Sequence, residues 1–358
     1  MTAPPHHPAV TGLGRAFPPA MEQDEAWRGF FAAHFGGSRA AERVFGAAGV
    51  RRRHAVANPV VDDVSGWSTG QRMARYSAEA APLGKEAVGA ALADAGLPAS
   101  EVGLFAVVSC TGYATPGLDI RLAADLGMPA DVQRLVIGHM GCYAALPGLG
   151  AVSDFAVARG RPAVMLCVEL TTLHLQPATG QVDQIVSHAL FGDAAVAVVV
   201  QPDGSTGGQP GGRGLRVRDV AAVTDPATAD HMTWDVTDLG FRMGLSARVP
   251  DVLARHVERT VDGLLARHGL ARGDVGGWAV HPGGPRILDT VQRELGLADA
   301  DLAASRAVLA ERGNCSSATV LLVLDELRRT GTTGPVVALA FGPGLTLYAA
   351  LLDAPAPA

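Results

Sequence analysis

Residues 335–352, "PVVALAFGPGLTLYAALL", run for eighteen positions without a charge. An uncharged stretch of that length either crosses a membrane as a helix or lies inside a protein with both faces covered. Gly342-Pro343-Gly344 interrupts it in the middle. Proline and glycine break a helix but suit a tight turn, so the stretch reads as two buried strands joined by a reversal. Strands that are apolar on both faces need further layers on either side. The chain has 358 residues, 48% of them hydrophobic, enough for a layered core in one large domain or two of ordinary size.

Further short apolar runs at 103–110 ("GLFAVVSC"), 134–141 ("RLVIGHMG"), 162–170 ("PAVMLCVEL"), 194–200 ("AAVAVVV") and 276–280 ("GGWAV") have strand character. Helical spacing appears between them, at 84–96, from Cys142 to about Arg159, and near 250–268, 284–295 and 314–330. This alternation predicts an α/β fold with a mostly parallel sheet. The glycine-rich stretch 202–214, "PDGSTGGQPGGRG", reads as a connector and divides the chain into residues 1–203 and 204–358. "GHMGCYAALPGLGAVSDF" and "ERGNCSSATVLLVLDEL" each place a glycine and a cysteine ahead of a long helix. Two related halves facing one another bring such helix starts together, although glycine-capped helices also look alike by chance.

The net charge of −6 gives no general field for nucleic acid or an anionic membrane, so an anionic ligand needs a local basic cluster. Lys85 is the only lysine, and arginine carries nearly all the positive charge. Cys110, Cys142, Cys167 and Cys315 form no CxxC pair, which argues against a zinc site. The N-terminus has no basic-then-apolar signal pattern, and free thiols fit a reducing cytoplasm.

Three places have the residue types for chemistry. Cys142 stands at a strand-to-helix turn, where helix N–H groups favour a thiolate, but a small buried packing residue fits the same pattern. His281 ends a strand and enters the glycine turn "HPGGPRIL", a place where α/β proteins present reactive groups; a turn that happens to hold histidine is the plainer alternative. Asn314 precedes a strongly apolar helix, which suits an N-cap. A cysteine, a histidine and an asparagine can also act together as nucleophile, base and amide donor. They lie 139 and 33 residues apart along the chain, so only folding can unite them.

Quoted together, "PLGKEAV", "SCTGYATPG", "GHMGC", "ALFGDAAVA", "HPGGPRILD", "RGNCSSA" and "FGPGLT" resemble the type III polyketide synthases, the chalcone-synthase-like family, in order and approximate spacing. The resemblance implies a thiolase-type αβαβα fold of two similar halves, the first carrying the nucleophile and the second the histidine and asparagine, in a homodimer. It implies an acyltransferase that condenses malonyl-CoA onto an acyl starter held on Cys142, with His281 and Asn314 at the other catalytic positions and a small aromatic or pyrone product. The substrates are acyl-CoA and malonyl-CoA, with no metal or redox cofactor. Phe191 falls at the gatekeeper position, and Thr115 at the position that reaches into the partner's cavity. Thr171 and Ser316 keep the plant-like residue type in the cavity, whereas Cys110, His174 and Met243 depart from it. Cys110, "GGPRILD" and "ERGN" are similar to the bacterial tetrahydroxynaphthalene synthase branch, which primes with malonyl-CoA.

Arg43 matches a family position for the coenzyme A phosphates, while two further basic positions fall on Ala40 and Ala47. Arg39, Arg286 or the run Arg51-Arg52-Arg53 can compensate; the plainer reading of the run is a solvated surface strand. Three other readings stay open: a ketoacyl synthase III-like enzyme using acyl carrier protein, a thioester hydrolase, and a non-catalytic scaffold, against which the three intact positions argue. "HPGG" argues against the first.

Overall fold

The computed structural model describes residues 7–202 and 214–355. The expected connector and the 203/204 division lie outside the described residues, as do the first six positions of the N-terminus. The first half supplies β1 (Ala9–Ala16), a short ladder of β2 (Ala20–Glu22) with β3 (Arg52–His54), then β4 (Leu104–Ser109), β5 (Gln133–Gly138), β6 (Ala163–Leu170) and β7 (Asp193–Gln201). The second supplies β8 (Leu215–Thr224), a hairpin of β9 (Met232–Thr237) and β10 (Gly240–Leu245), then β11 (Gly277–Val280), β12 (Gly334–Gly342) and β13 (Thr346–Ala354). The uncharged stretch thus forms the antiparallel pair β12–β13, as the Gly-Pro-Gly interruption requires. Among the described residues no helix is long and apolar enough to cross a membrane.

The main helices are α1 (Arg39–Ala47), α2 (Thr69–Ala95), α3 (Leu118–Asp125), α4 (Ala145–Arg159), α5 (Val182–Leu190), α6 (Val249–Ala266), α7 (Pro285–Leu295), α8 (Ala303–Arg312) and α9 (Ala318–Arg329). The helix expected at 84–96 is longer than the sequence suggests, because Pro82 lies inside it rather than ahead of it. A Ser68–Gln71 capping box starts α2 and left-handed Gly96 ends it. An interior proline costs about 3 kcal/mol, and burial of one face of α2 offsets it. That packing is close: a Cβ on Gly12 or Gly14 of β1 would stand 2.2 Å from the carbonyl oxygen of Ala91 or Ala87.

The sheet order is β11-β12-β13-β8-β1-β7-β6-β4-β5. It is not mostly parallel: five of its eight neighbouring pairs are antiparallel. Apolar runs report burial on both faces but say nothing of direction, and covered antiparallel strands look the same. The pattern repeats about the β1–β8 junction. β1-β7-β6-β4 and β8-β13-β12-β11 share order and direction, and β5 is the one edge strand without a counterpart. The sequence echo therefore marks a structural duplication, with α4 and α9 as equivalent helices.

Side-chain alternation builds the layers. In β7, Val196, Val198 and Val200 face the central cluster with α4 and α9, while Ala195, Ala197 and Val199 face α2. In β12, Val336, Ala338 and Ala340 face the same central helices, and Val337, Leu339 and Phe341 face α6 and α7. The result is helix, sheet, helix pair, sheet, helix: the αβαβα stack.

Candidate active site

The nucleophile candidate sits on a tight turn after β5. Gly141 has φ +86°, and a Cβ there would lie 2.7 Å from Pro343 Cδ in the β12–β13 turn. Glycine therefore meets both the backbone requirement and the close approach of the second half. Cys142 follows, three residues ahead of α4, and is buried. The side chains of Ser316 and Asn314 lie where they favour its ionised form.

Asn314 is not a helix cap. α9 begins only at Ala318, and Asn314 is stitched to the end of α5: its N–H donates to the Leu190 carbonyl at 2.8 Å, and its carbonyl accepts from Gly192 N–H at 3.1 Å. Its side-chain Oδ1 accepts from the N–H of Ser316 at 2.9 Å, Ser316 being turned to φ +46°. With the oxygen held, the amide N–H groups are left for the thiol. His281 ends β11, its N–H donating to the Leu339 carbonyl at 2.8 Å. The ring is buried edge-on to Phe341, with centroids 5.8 Å apart, and both ring nitrogens are unpartnered.

Cys142, His281 and Asn314 line one cavity of about 350 Å³, with Phe191 and Met243 on its wall and exposed Arg286 among its lining residues. Cys110, Thr171 and Ser316 meet Cys142, Phe191 and Met243 around a small void of about 20 Å³ behind it. His174 lies further in, on the wall of a rear chamber that Phe191, Trp234 and Met243 share. Its ring is committed on both sides, to the Thr111 carbonyl at 2.7 Å and to the N–H of Phe241 at 2.9 Å. Thr115 lies on a different cavity, of about 490 Å³ beside the open edge of β5, whose wall Cys110 also reaches. Arg39 and Arg43 are exposed on α1, off the cavity wall.

The arginine run is not a solvated strand. Arg51 and Arg52 both pair with Glu311, and Arg53 is 2% exposed. Arg53 donates from one nitrogen to the carbonyls of His188 (2.5 Å) and Phe191 (2.8 Å), so it pins the backbone at Phe191 rather than facing solvent. The run looked uniform in sequence, but only its third member, in the middle of β3, points inward.

Two further residues escaped the sequence reading. Trp234, on β9, donates its indole N–H to the Cys110 carbonyl at 2.7 Å and stacks its edge toward Phe191, filling space between the small void and the rear chamber. Glu169, the lone charge in the β6 run, is fully buried. Its carboxylate accepts from Cys110 N–H (3.0 Å), Thr111 Oγ1 (2.8 Å) and the Ser317 hydroxyl. A charge inside an otherwise apolar strand was the available signal for it.

Burial disfavours charge on Cys142 or His281 alone. Burial pushes the Cys142 thiol up to about 11, with Glu169 adding to the rise and Ser316 and Asn314 opposing it. Burial drives the His281 ring down to about 3. A thiolate there requires an opposite charge to form with it, and the imidazole is the group on the same wall that can supply one. The helix start alone therefore does not hold the sulfur ionised.

Two mirrored sheet-and-helix halves whose equivalent helix starts border one apolar cavity are the architecture of a thiolase-type acyltransferase. Family models of the chalcone and stilbene synthases match both halves, the N-terminal domain over residues 42–204 and the C-terminal domain over 220–355. The chain belongs to that family and is a type III polyketide synthase. It is 40% identical over 321 residues to a 1,3,6,8-tetrahydroxynaphthalene synthase of Streptomyces peucetius subsp. caesius, covering 87% of this chain and 82% of the relative. It is 32% identical over 361 residues to a 3,5-dihydroxyphenylacetyl-CoA synthase of Streptomyces toyocaensis, covering 98% and 90%. The crystal structure of PKS-I from the brown alga Ectocarpus siliculosus superposes with a TM-score of 0.92 at 28% identity, over 99% of this chain and 100% of that one. The family match does not favour the carrier-protein or hydrolase readings.

Proposed function

We propose that this enzyme carries its acyl chain as a thioester on Cys142, extends it by decarboxylative condensation with malonyl-CoA, and uses malonyl-CoA as the starter as well. The observation that carries the reading is the shared cavity of Cys142, His281 and Asn314. His281 takes the thiol proton as sulfur attacks the starter thioester, and coenzyme A leaves as its thiol. Malonyl-CoA then loses carbon dioxide, and its electron pair passes into an enolate. A ring held neutral keeps one N–H, and the Asn314 amide supplies another donor; such preorganised donors are worth about 2.7–4 kcal/mol each to a developing oxyanion. The enolate carbon attacks the Cys142 thioester, a carbon–carbon bond forms and the sulfur is released for the next cycle. No step transfers an electron pair to a redox carrier or needs a Lewis acid, so the reaction takes no metal or redox cofactor. Phe191 covers the intermediate from water.

Malonyl priming is supported by the 40% identity to a tetrahydroxynaphthalene synthase. The phosphates of coenzyme A are assigned to Arg286, which lines the reaction cavity, and to Arg39 and Arg43, exposed on α1 without an ion-pair partner among the described residues. Incubation with malonyl-CoA alone is expected to yield an aromatic pentaketide by product mass. Extension only after another acyl-CoA is added would end malonyl priming, and no extended product with any starter would end the synthase reading.

The enzyme acts as a homodimer in the cytoplasm. β5 is an open edge with Val136 60% exposed, and Tyr113 and Ile120 add apolar surface beside the Thr115 cavity. Monomers rarely leave such an edge uncovered, and a partner there brings Thr115 against its own cavity. Val136→Arg is expected to convert a dimeric mass in light scattering to a monomeric one. An unchanged dimer would move the interface elsewhere.

A further inference from the structure

The proposed mechanism uses one of the chain's four cysteines, and a second stands beside it. β4 and β5 are parallel neighbours, with Ser109 opposite Gly138 at their ends. Cys110 follows β4 directly and Cys142 follows β5 after a short turn, so both emerge at the same end of the sheet. Both line the void of about 20 Å³, and Cys142 also lines the reaction cavity, through which a small solute reaches it. Ser316 is their common neighbour: its Oγ is 3.0 Å from the Cys110 sulfur, and it favours the ionised form of Cys142. Cys110 is held in place on both sides. Its N–H donates to Glu169 at 3.0 Å, and its carbonyl accepts the Trp234 indole N–H at 2.7 Å. Its thiol donates to the same Glu169 carboxylate at 3.6 Å. Cys167 and Cys315 are fully buried and line neither space, and the Cys315 thiol donates to the Arg312 carbonyl at 3.4 Å.

We infer that Cys142 and Cys110 form a redox modification site, at which hydrogen peroxide closes a reversible disulfide across the void. Cys142 reacts first, because it lies on the open cavity and passes its proton to His281. Its thiolate attacks one peroxide oxygen: an S–O bond forms, the O–O bond breaks, and the departing hydroxide takes the proton from His281 and leaves as water. Burial, with Glu169 and then Cys142 adding to it, pushes the Cys110 thiol well up, so Cys110 does not ionise first. It is placed for the second step. Its proton passes to the Glu169 carboxylate as its sulfur attacks the sulfenic acid on Cys142. The S–S bond forms, the S–O bond breaks, and the second hydroxide takes that proton and leaves as water. Two thiols together give up two electrons and two protons, one peroxide becomes two waters, and His281 and Glu169 end as they began. The void has room for the leaving water, which requires about 10–15 Å³. A cysteine beside a resolving cysteine is spared irreversible oxidation to sulfinic acid. The disulfide therefore stops acylation without destroying the nucleophile. The inference takes from the proposed mechanism only the transfer of the thiol proton to His281.

The test adds hydrogen peroxide in slight excess over the enzyme, blocks free thiols with N-ethylmaleimide in denaturant, and reads intact mass and a non-reducing peptide map. The wild-type chain is expected to take up two fewer blocking groups than untreated enzyme, and the map to join the peptides of Cys110 and Cys142. Dithiothreitol is expected to return both thiols, and with them the alkylation of Cys142 by iodoacetamide. Cys110→Ser keeps a hydroxyl for Glu169 but has no resolving sulfur. Its Cys142 is expected to gain about 32 Da as the sulfinic acid, and the fraction that dithiothreitol restores to fall at least about tenfold. A wild-type chain that gains oxygen without a cross-link, or that joins Cys142 to Cys167 or Cys315, would overturn the inference whether or not the variant folds. Recovery that is undiminished in Cys110→Ser would overturn it equally. A Cys142 that iodoacetamide alkylates but peroxide never cross-links sinks this inference alone. A Cys142 inert to both reagents sinks the proton transfer to His281 along with it.

Discussion

Cys142→Ala will abolish polyketide extension, lowering the rate of product formation by more than about a thousandfold, as loss of a covalent nucleophile does in other acyl-transfer enzymes. The methyl side chain offers no group on which an acyl chain can wait. Position 142 is buried beside Gly342, and alanine removes only the sulfur, so the turn and its packing are retained. His281 and Asn314 remain on the cavity wall, so the variant is expected to keep decarboxylating malonyl-CoA to acetyl-CoA. Product analysis by mass spectrometry separates the two activities. Extended product from Cys142→Ala would place the nucleophile elsewhere, and loss of decarboxylation as well would mean that the enolate donors depend on the sulfur.

The second large effect concerns the proton. With its thiol pushed up to about 11, a lone Cys142 would be ionised to only about one part in ten thousand at pH 7. A cation on His281 favours the thiolate and brings that value down, while the thiolate raises the ring from about 3. The proposed mechanism requires the two to titrate as a pair. His281→Gln keeps a polar side chain but cannot take up the proton. Its rate of alkylation by iodoacetamide at pH 7 is expected to fall at least about a hundredfold. The rate should then climb about tenfold per pH unit toward the thiol's own value near 11, because thiolate fraction sets it. A variant alkylated at the wild-type rate would show that His281 does not set the charge on sulfur.

Much of the site was legible because its residues sit in short, distinctive segments. Gly141 before Cys142, the glycines after His281 and the Gly-Pro-Gly of the last hairpin are local backbone requirements, and local requirements are written locally. Asn314 was less clear, since an asparagine ahead of an apolar helix suits a cap as well as an amide donor. Only the bonds from Asn314 to Leu190 and Gly192, more than a hundred residues away, distinguish the two. Arg53 was misjudged for the same reason. Three consecutive arginines look alike until β3 turns the third toward Phe191 and leaves the first two on Glu311. Trp234 gave no sign at all, because its importance lies in the space it fills between segments.

By itself the sequence determined the alternating elements, the buried hairpin, the duplicated helix starts and the family, all of which rest on patterns within a few neighbouring residues or on ordered motifs. The tertiary structure decided the direction of the strands, the meeting of Cys142, His281 and Asn314, the burial of Arg53 and the state of the reactive proton. These depend on distance and dielectric between parts of the chain remote from one another. Hydrophobic periodicity records which face of an element is covered, but not what covers it.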